Sequence, residues 1–111
     1  MEFLFLVCTD ETAPPYRAEE DNIQEWVAEV ERREVGRAGN RLRLPADATT
    51  VKVRDGKVAL IDGPFAETKD YIAGFDLLDC ADLDEAIEIA SRHPMAKFGQ
   101  IEIRPIWPLG G

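Results

Sequence analysis

Residues 2–8 read Glu2-Phe3-Leu4-Phe5-Leu6-Val7-Cys8. Side chains of a strand alternate between its two faces, so Phe3, Phe5 and Val7 share one face and Leu4, Leu6 and Cys8 the other. The apolar run is six residues long with no basic flank before it. That is too short for a bilayer span and lacks the pattern of a secretory leader. Both faces of the strand are apolar, and both need cover. Helices can cover one of them. A chain of 111 residues has little left for the other, which points to a second copy.

Working outward, residues 9–21 are polar, contain Pro14 and Pro15, and read as a loop. A helix is expected next, capped by Asp21 with Gln24 as its capping-box partner. Ile23, Trp26, Val27 and Val30 form its apolar stripe, and Glu29 and Arg33 stand at pairing distance on its wet side. Gly36 is the expected stop. Residues 36–50 read as a loop. Residues 50–54 alternate and read as a strand, Asp55-Gly56 signals a two-residue hairpin turn, and residues 57–61 return. Asp62-Gly63-Pro64 is a sharp turn. Residues 69–79 read as a strand, with Gly74 marking a bulge or a close backbone approach. Asp82 starts a second helix, with Glu85 completing a capping box. Leu83, Ala86, Ile87 and Ala90 are its inward stripe, and Pro94 ends it before His93. Residues 100–106 form a last strand, Ile101 and Ile103 inward, Glu102 and Arg104 outward. Pro105 and Pro108 mark an edge or a chain end.

This order is close to βαββαβ with one hairpin added or extended. It predicts an α+β domain over residues 1–111, an antiparallel sheet with helices packed on one face. The uncovered face would bury itself against a second copy.

Lys and Arg number 13 and Asp and Glu 22, a net charge of −9. That charge excludes a protein that grips nucleic acid mainly by counterion release, and one that docks on an anionic membrane. Two cysteines, Cys8 and Cys80, make no disulfide framework and suit buried thiols in a reducing cytoplasm. One histidine and two separated cysteines give no zinc spacing. No phosphate-cradling loop or dinucleotide fingerprint appears, and Ser91 is the only serine and lies in no nucleophile elbow. No metal and no cofactor is implied.

The run Asp62-Gly63-Pro64-Phe65-Ala66-Glu67-Thr68-Lys69-Asp70 resembles the signature of the DGPF branch of the YCII-related family. The surroundings match in order: Ala48-Thr49-Thr50-Val51, Arg54-Asp55-Gly56-Lys57, Gly74-Phe75, Leu83-Asp84-Glu85-Ala86 and Ile101-Glu102-Ile103-Arg104-Pro105. The resemblance implies a ferredoxin-like fold assembled as a dimeric α/β barrel. For function it implies less. Most members have no established activity. One relative is similar to a dehydrochlorinase acting on a chlorinated hydroxyquinol, and some DGPF proteins accompany extracytoplasmic-function sigma factors. The classical YCII branch carries a histidine in its first helix, proposed to pair with an aspartate. Residues 18–35 here contain none, and His93 is the only histidine.

Candidate residues follow from the turn. Asp62 and Glu67 are candidate proton carriers, Phe65 a candidate apolar wall, and Lys69 or Arg104 candidate anchors for an anion. The alternative is that Asp62 caps its own turn, Phe65 is core, and Glu67 and Lys69 are solvated. His93 is a further candidate acid or base, or else a helix-terminal histidine favoured by the dipole. Arg32, Arg33, Arg37, Arg41 and Arg43 form a basic cluster that suits an anionic ligand or a solvated helix end. Trp26 is expected in the core. Trp107 packs across a dimer interface or caps the sheet.

Three functional classes remain. One is an enzyme doing lyase- or hydrolase-like proton chemistry on a small organic molecule. Another is a non-catalytic regulatory or ligand-sensing module tied to sigma-factor-type regulation. The third is a bare dimeric scaffold.

Overall fold

A computed structural model describes residues 1–110. Strand β1 (Glu2–Cys8) is central, because its two apolar faces leave no side that tolerates water. It pairs antiparallel with β5 (Ile72–Asp79) on one edge and β6 (Gln100–Pro105) on the other. Strand β2 (Gly36–Arg41) pairs antiparallel with β5, giving the order β2-β5-β1-β6. Strands β3 (Thr49–Arg54) and β4 (Lys57–Asp62) form a ribbon of their own, turned at Asp55-Gly56, both at positive φ. With α1 (Ile23–Arg33), α2 (Leu83–Ser91) and the short α3 (Pro94–Phe98), the chain is a mixed α+β fold. Without the ribbon, the elements run βαββαβ in the ferredoxin-like order. The ribbon is an insertion between β2 and β5.

The helices complete the core on the Phe3 and Phe5 face. Trp26 from α1 and Ala86, Ile89 and Ala90 from α2 join Phe3, Phe5 and Leu78, with Val30, Ile101 and Ile103 against them. The indole Nε1 of Trp26 donates to the Ile89 carbonyl at 2.9 Å, tying α1 to α2. Arg33 reinforces that tie with two bonds to Glu88 on α2, while Glu29 on its own helix takes a third. On the other face Leu4 and Leu6 stand opposite Leu77 and Phe75, all half-buried.

Local details differ from the sequence reading in instructive ways. Asn22 occupies the N-cap of α1. Asp21 sits one residue earlier and accepts the Ile23 N–H at 3.0 Å, so no box with Gln24 closes. The helix stops at Glu34, left-handed at φ 57°, whose N–H bonds back to Val30 and Glu31. Gly36 instead opens β2, so part of the expected loop at 36–50 is a strand. The expected strand at 69–79 begins only at Ile72. At α2 the box forms: Asp82 accepts the Glu85 N–H at 2.9 Å and Glu85 accepts the Ala81 N–H at 2.8 Å. Its buried residues are Ala86, Ile89 and Ala90, while Leu83 and Ile87 stay exposed. Pro94 ends α2 and also opens α3, where a missing N–H costs nothing.

Gly74 lies at a close approach, where a Cβ would meet the Asn40 carbonyl at 3.0 Å. Both cysteines are free, Cys80 buried. Among the described residues no helix is long and apolar enough to cross a membrane.

Candidate functional site

Strand β4 ends at Asp62, and Gly63 follows with φ 108°, a conformation a Cβ would strain. Its N–H donates to the Ala48 carbonyl at 2.7 Å, and its carbonyl accepts from Thr50 Oγ1 at 2.8 Å. The turn is therefore fastened on both sides to the start of β3. Its far end is fastened too. Asp70 accepts from Thr9 Oγ1 at 3.3 Å and from the Glu11 N–H at 2.9 Å, and the Tyr71 N–H donates to Thr9 Oγ1 at 2.9 Å. Residues 64–68 stand between these anchors as a partition.

Two clefts flank it. The larger, about 540 Å³, runs from Leu42, Leu44 and Pro45 past Phe65 to Tyr71, Ile72 and Cys8. The smaller, about 470 Å³, is lined by Asp62, Gly63, Glu67 and Tyr71 with Pro45 and Ala46. Pro45, Pro64, Ala66, Thr68 and Tyr71 border both. The structure thus gathers Asp62, Phe65 and Glu67 on one turn. Asp62 and Glu67 face the smaller cleft, and Phe65 faces the larger one.

Phe65 is 91% exposed, so it is not core within this chain. Lys69 neighbours the turn but lines neither cleft and lies 3.7 Å from Glu11. Arg104, on β6, pairs with Glu102 on the open sheet face and lines neither cleft. His93 is also apart from the turn. It caps α3, its Nδ1 accepting the Met95 N–H at 2.9 Å, and its ring meets Trp26 edge-on at 4.7 Å between centroids. Burial lowers its pKa to about 4, with Asp21 opposing the shift, so the ring is neutral at pH 7. Its position is an N-terminal cap, not the helix C-terminus that the sequence suggests. The arginines are mostly spent on internal acids: Arg32 on Glu29, Arg33 on Glu29 and Glu88, Arg37 on Asp79, Arg43 on Asp47. Trp107 is exposed.

Three wall residues escape a sequence reading. Tyr71 borders both clefts, and Leu42 and Leu44 form a wall of the larger. Their alternation with Arg41 and Arg43 is the signal that was available. Cys8 also lines the larger cleft. Burial first, then Glu102 and Asp70, raise its thiol pKa, so it is a neutral wall group and not a thiolate. Among the described residues no cluster of three metal-ligating side chains exists.

Asp76 is a second titrating group on the helix-covered face, across from Phe5 and beside Gly39. A Cβ on Gly39 would stand 2.2 Å from its Oδ1, so the glycine makes the room the carboxyl occupies. Burial raises its pKa to about 6. The folded state thus holds this proton more tightly than the unfolded chain. The stabilisation is present below about pH 4 and is lost as pH rises through 6. His93 works the other way: its contribution is full above about pH 6.5 and fades as pH falls towards 4. Asp76→Asn is therefore expected to stabilise the fold at pH 7.5 by about 1 kcal/mol, reduced for the water that still reaches the group. Urea melts at pH 7.5 and pH 4 test this: the gain should shrink at the lower pH, and an equal gain at both rejects the titration.

The YCII-related domain family matches residues 1–110. An uncharacterised protein of Rhizobium meliloti (strain 1021) is 36% identical over 96 residues, which cover 81% of this chain and 77% of that protein. Among solved structures, 5-chloro-2-hydroxyhydroquinone dehydrochlorinase (TftG) from Burkholderia phenoliruptrix AC1100, in complex with 2,5-dihydroxybenzoquinone, aligns at 15% identity. It does so with a TM-score of 0.47 over 96% of this chain and 94% of that one. The family match over the whole described length, together with the Rhizobium meliloti relative, shows that this chain belongs to the YCII-related family.

Proposed function

We propose that this chain, as a homodimer of the DGPF branch of its family, binds a small organic molecule in the clefts beside the Asp62 turn and moves a proton there. The observation that supports this most is the turn itself. It is held by bonds at Ala48, Thr50, Thr9 and Glu11, yet it leaves Asp62 and Glu67 with no hydrogen bond or ion pair among the described residues. A carboxylate without a structural partner, beside an apolar wall, is equipped to accept or return a proton in lyase- or hydrolase-like chemistry. Phe65 and Tyr71 offer flat aromatic contact, Ile72 adds aliphatic contact, and Thr68 and Gln100 offer polar contacts that orient a substrate. The half-buried Leu4, Leu6, Phe75 and Leu77 support face-to-face pairing of two sheets as a dimeric α/β barrel.

A thermal-shift screen of phenolic and carboxylate compounds on wild type and Asp62→Ala tests the reading. A ligand at one hundred times its Kd is expected to raise the wild-type Tm by about 10 °C and the folded variant by far less. Equal shifts in both proteins, or full turnover of an identified substrate by both Asp62→Ala and Glu67→Ala, would sink it.

A further inference from the structure

We propose that the β3–β4 ribbon is an arm that seats on a second copy of this chain, and that the seated copy closes the cleft next to Asp62. The pairing of Val51 with Leu60 and of Val53 with Val58 puts four apolar side chains on one ribbon face. They are 61%, 68%, 56% and 68% exposed in that order. The other face carries Thr50, Lys52, Arg54, Lys57, Ala59 and Ile61, and is the more polar of the two. A lone two-stranded ribbon is marginal in water unless an apolar face is covered. Among the described residues nothing covers it: β3 and β4 pair with each other alone.

The amount of surface indicates what does. The chain exposes 8202 Å², whereas a compact monomer of its mass exposes about 6,100 Å². Its radius of gyration is 16.2 Å, against about 13 Å for a compact chain of this length. The excess of roughly 2,000 Å² per chain exceeds the ~800 Å² each partner gives to a standard interface and matches an obligate homodimer. A second copy is the occupant that every molecule of the protein has at hand, and two-fold symmetry lets each arm be covered at once.

The arm also leads to the site. Asp62 is the last residue of β4 and alternates onto the same face as Val58 and Leu60. Phe65, 91% exposed, stands three residues farther on. A copy seated on the apolar face therefore lies over Asp62 and against Phe65. This deepens the cleft reading and rests on it only for what closure does.

The test is sedimentation combined with hydrogen exchange. Wild type should sediment at twice the 12.4 kDa chain mass. Val58→Glu with Leu60→Glu should weaken the dimer at least about a hundredfold, with unchanged circular dichroism and faster exchange at residues 64–71. Lys52→Glu with Ala59→Glu, on the opposite face, should leave both readouts as in wild type. If the first pair misfolds, Val58→Thr with Leu60→Thr should weaken the dimer about tenfold. A monomeric wild type, or a dimer indifferent to the apolar-face substitutions, overturns the proposal, as does unchanged exchange at 64–71. Failure of the ligand screen alone would reject the cleft reading and leave these results standing.

Discussion

Trp26→Ala is expected to cost about 4–5 kcal/mol of folding stability, of which truncating a buried indole supplies about 3–5. The reasons add up around one side chain. Trp26 is 5% exposed and joins the core where α1 meets α2. Its Nε1–H satisfies the Ile89 carbonyl, which the substitution would leave without that donor. Its ring is also the wall against which the neutral His93 rests. On a domain whose whole stability is of order 5–15 kcal/mol, the Tm should fall by roughly 20 °C. Trp26→Phe keeps the ring but removes the donor, so about half that loss is expected. Equilibrium denaturation of both variants checks the argument. Near-equal small losses would mean that α1 does not depend on this anchor.

What the sequence reveals divides along physical lines. Strand β1 is legible because six consecutive apolar residues have no other plausible use. The second helix is legible because Asp82 and Glu85 satisfy specific backbone N–H groups. The ribbon is legible because Asp55-Gly56 fits a turn that needs two positive φ values. Strand β2 is not legible. Gly36-Arg37-Ala38-Gly39-Asn40-Arg41 has neither alternation nor β-branched residues, and all six are exposed. It is a strand because the free edge of β5 needs a partner and because Gly39 leaves room for Asp76. That is a tertiary cause, and local pattern cannot carry it.

The same holds for His93, whose ring partner Trp26 comes from a distant part of the chain. The turn at 62–70 is legible as a turn, and Gly63 is where its geometry demands glycine. Its exposure is not legible. Phe65 reads from sequence either as the wall of a cleft or as core, and only the structure shows it exposed along the larger cleft. Likewise, the ribbon's pattern predicts one apolar face. It does not reveal that the chain leaves that face bare.

Phe5→Ala and Leu6→Ala are expected to behave oppositely, though the residues adjoin on one strand. Phe5 is 0% exposed beneath the helices, so its truncation should cost about 3–5 kcal/mol at any protein concentration. Leu6 is half-buried on the open face, opposite Phe75 and Glu102. Within one chain its truncation forfeits little, about 1 kcal/mol of partial burial. If a second copy covers that face, the remainder of its cost lies in the association step. It then appears as a Tm that depends on protein concentration more steeply than in wild type. Melting both variants across a hundredfold concentration range separates the two faces. Phe5→Ala should shift the whole curve downward in parallel, and Leu6→Ala should change its slope. Parallel shifts for both would mean that the open face meets water in solution. The two-sided apolar pattern of β1 would then need another explanation than pairing.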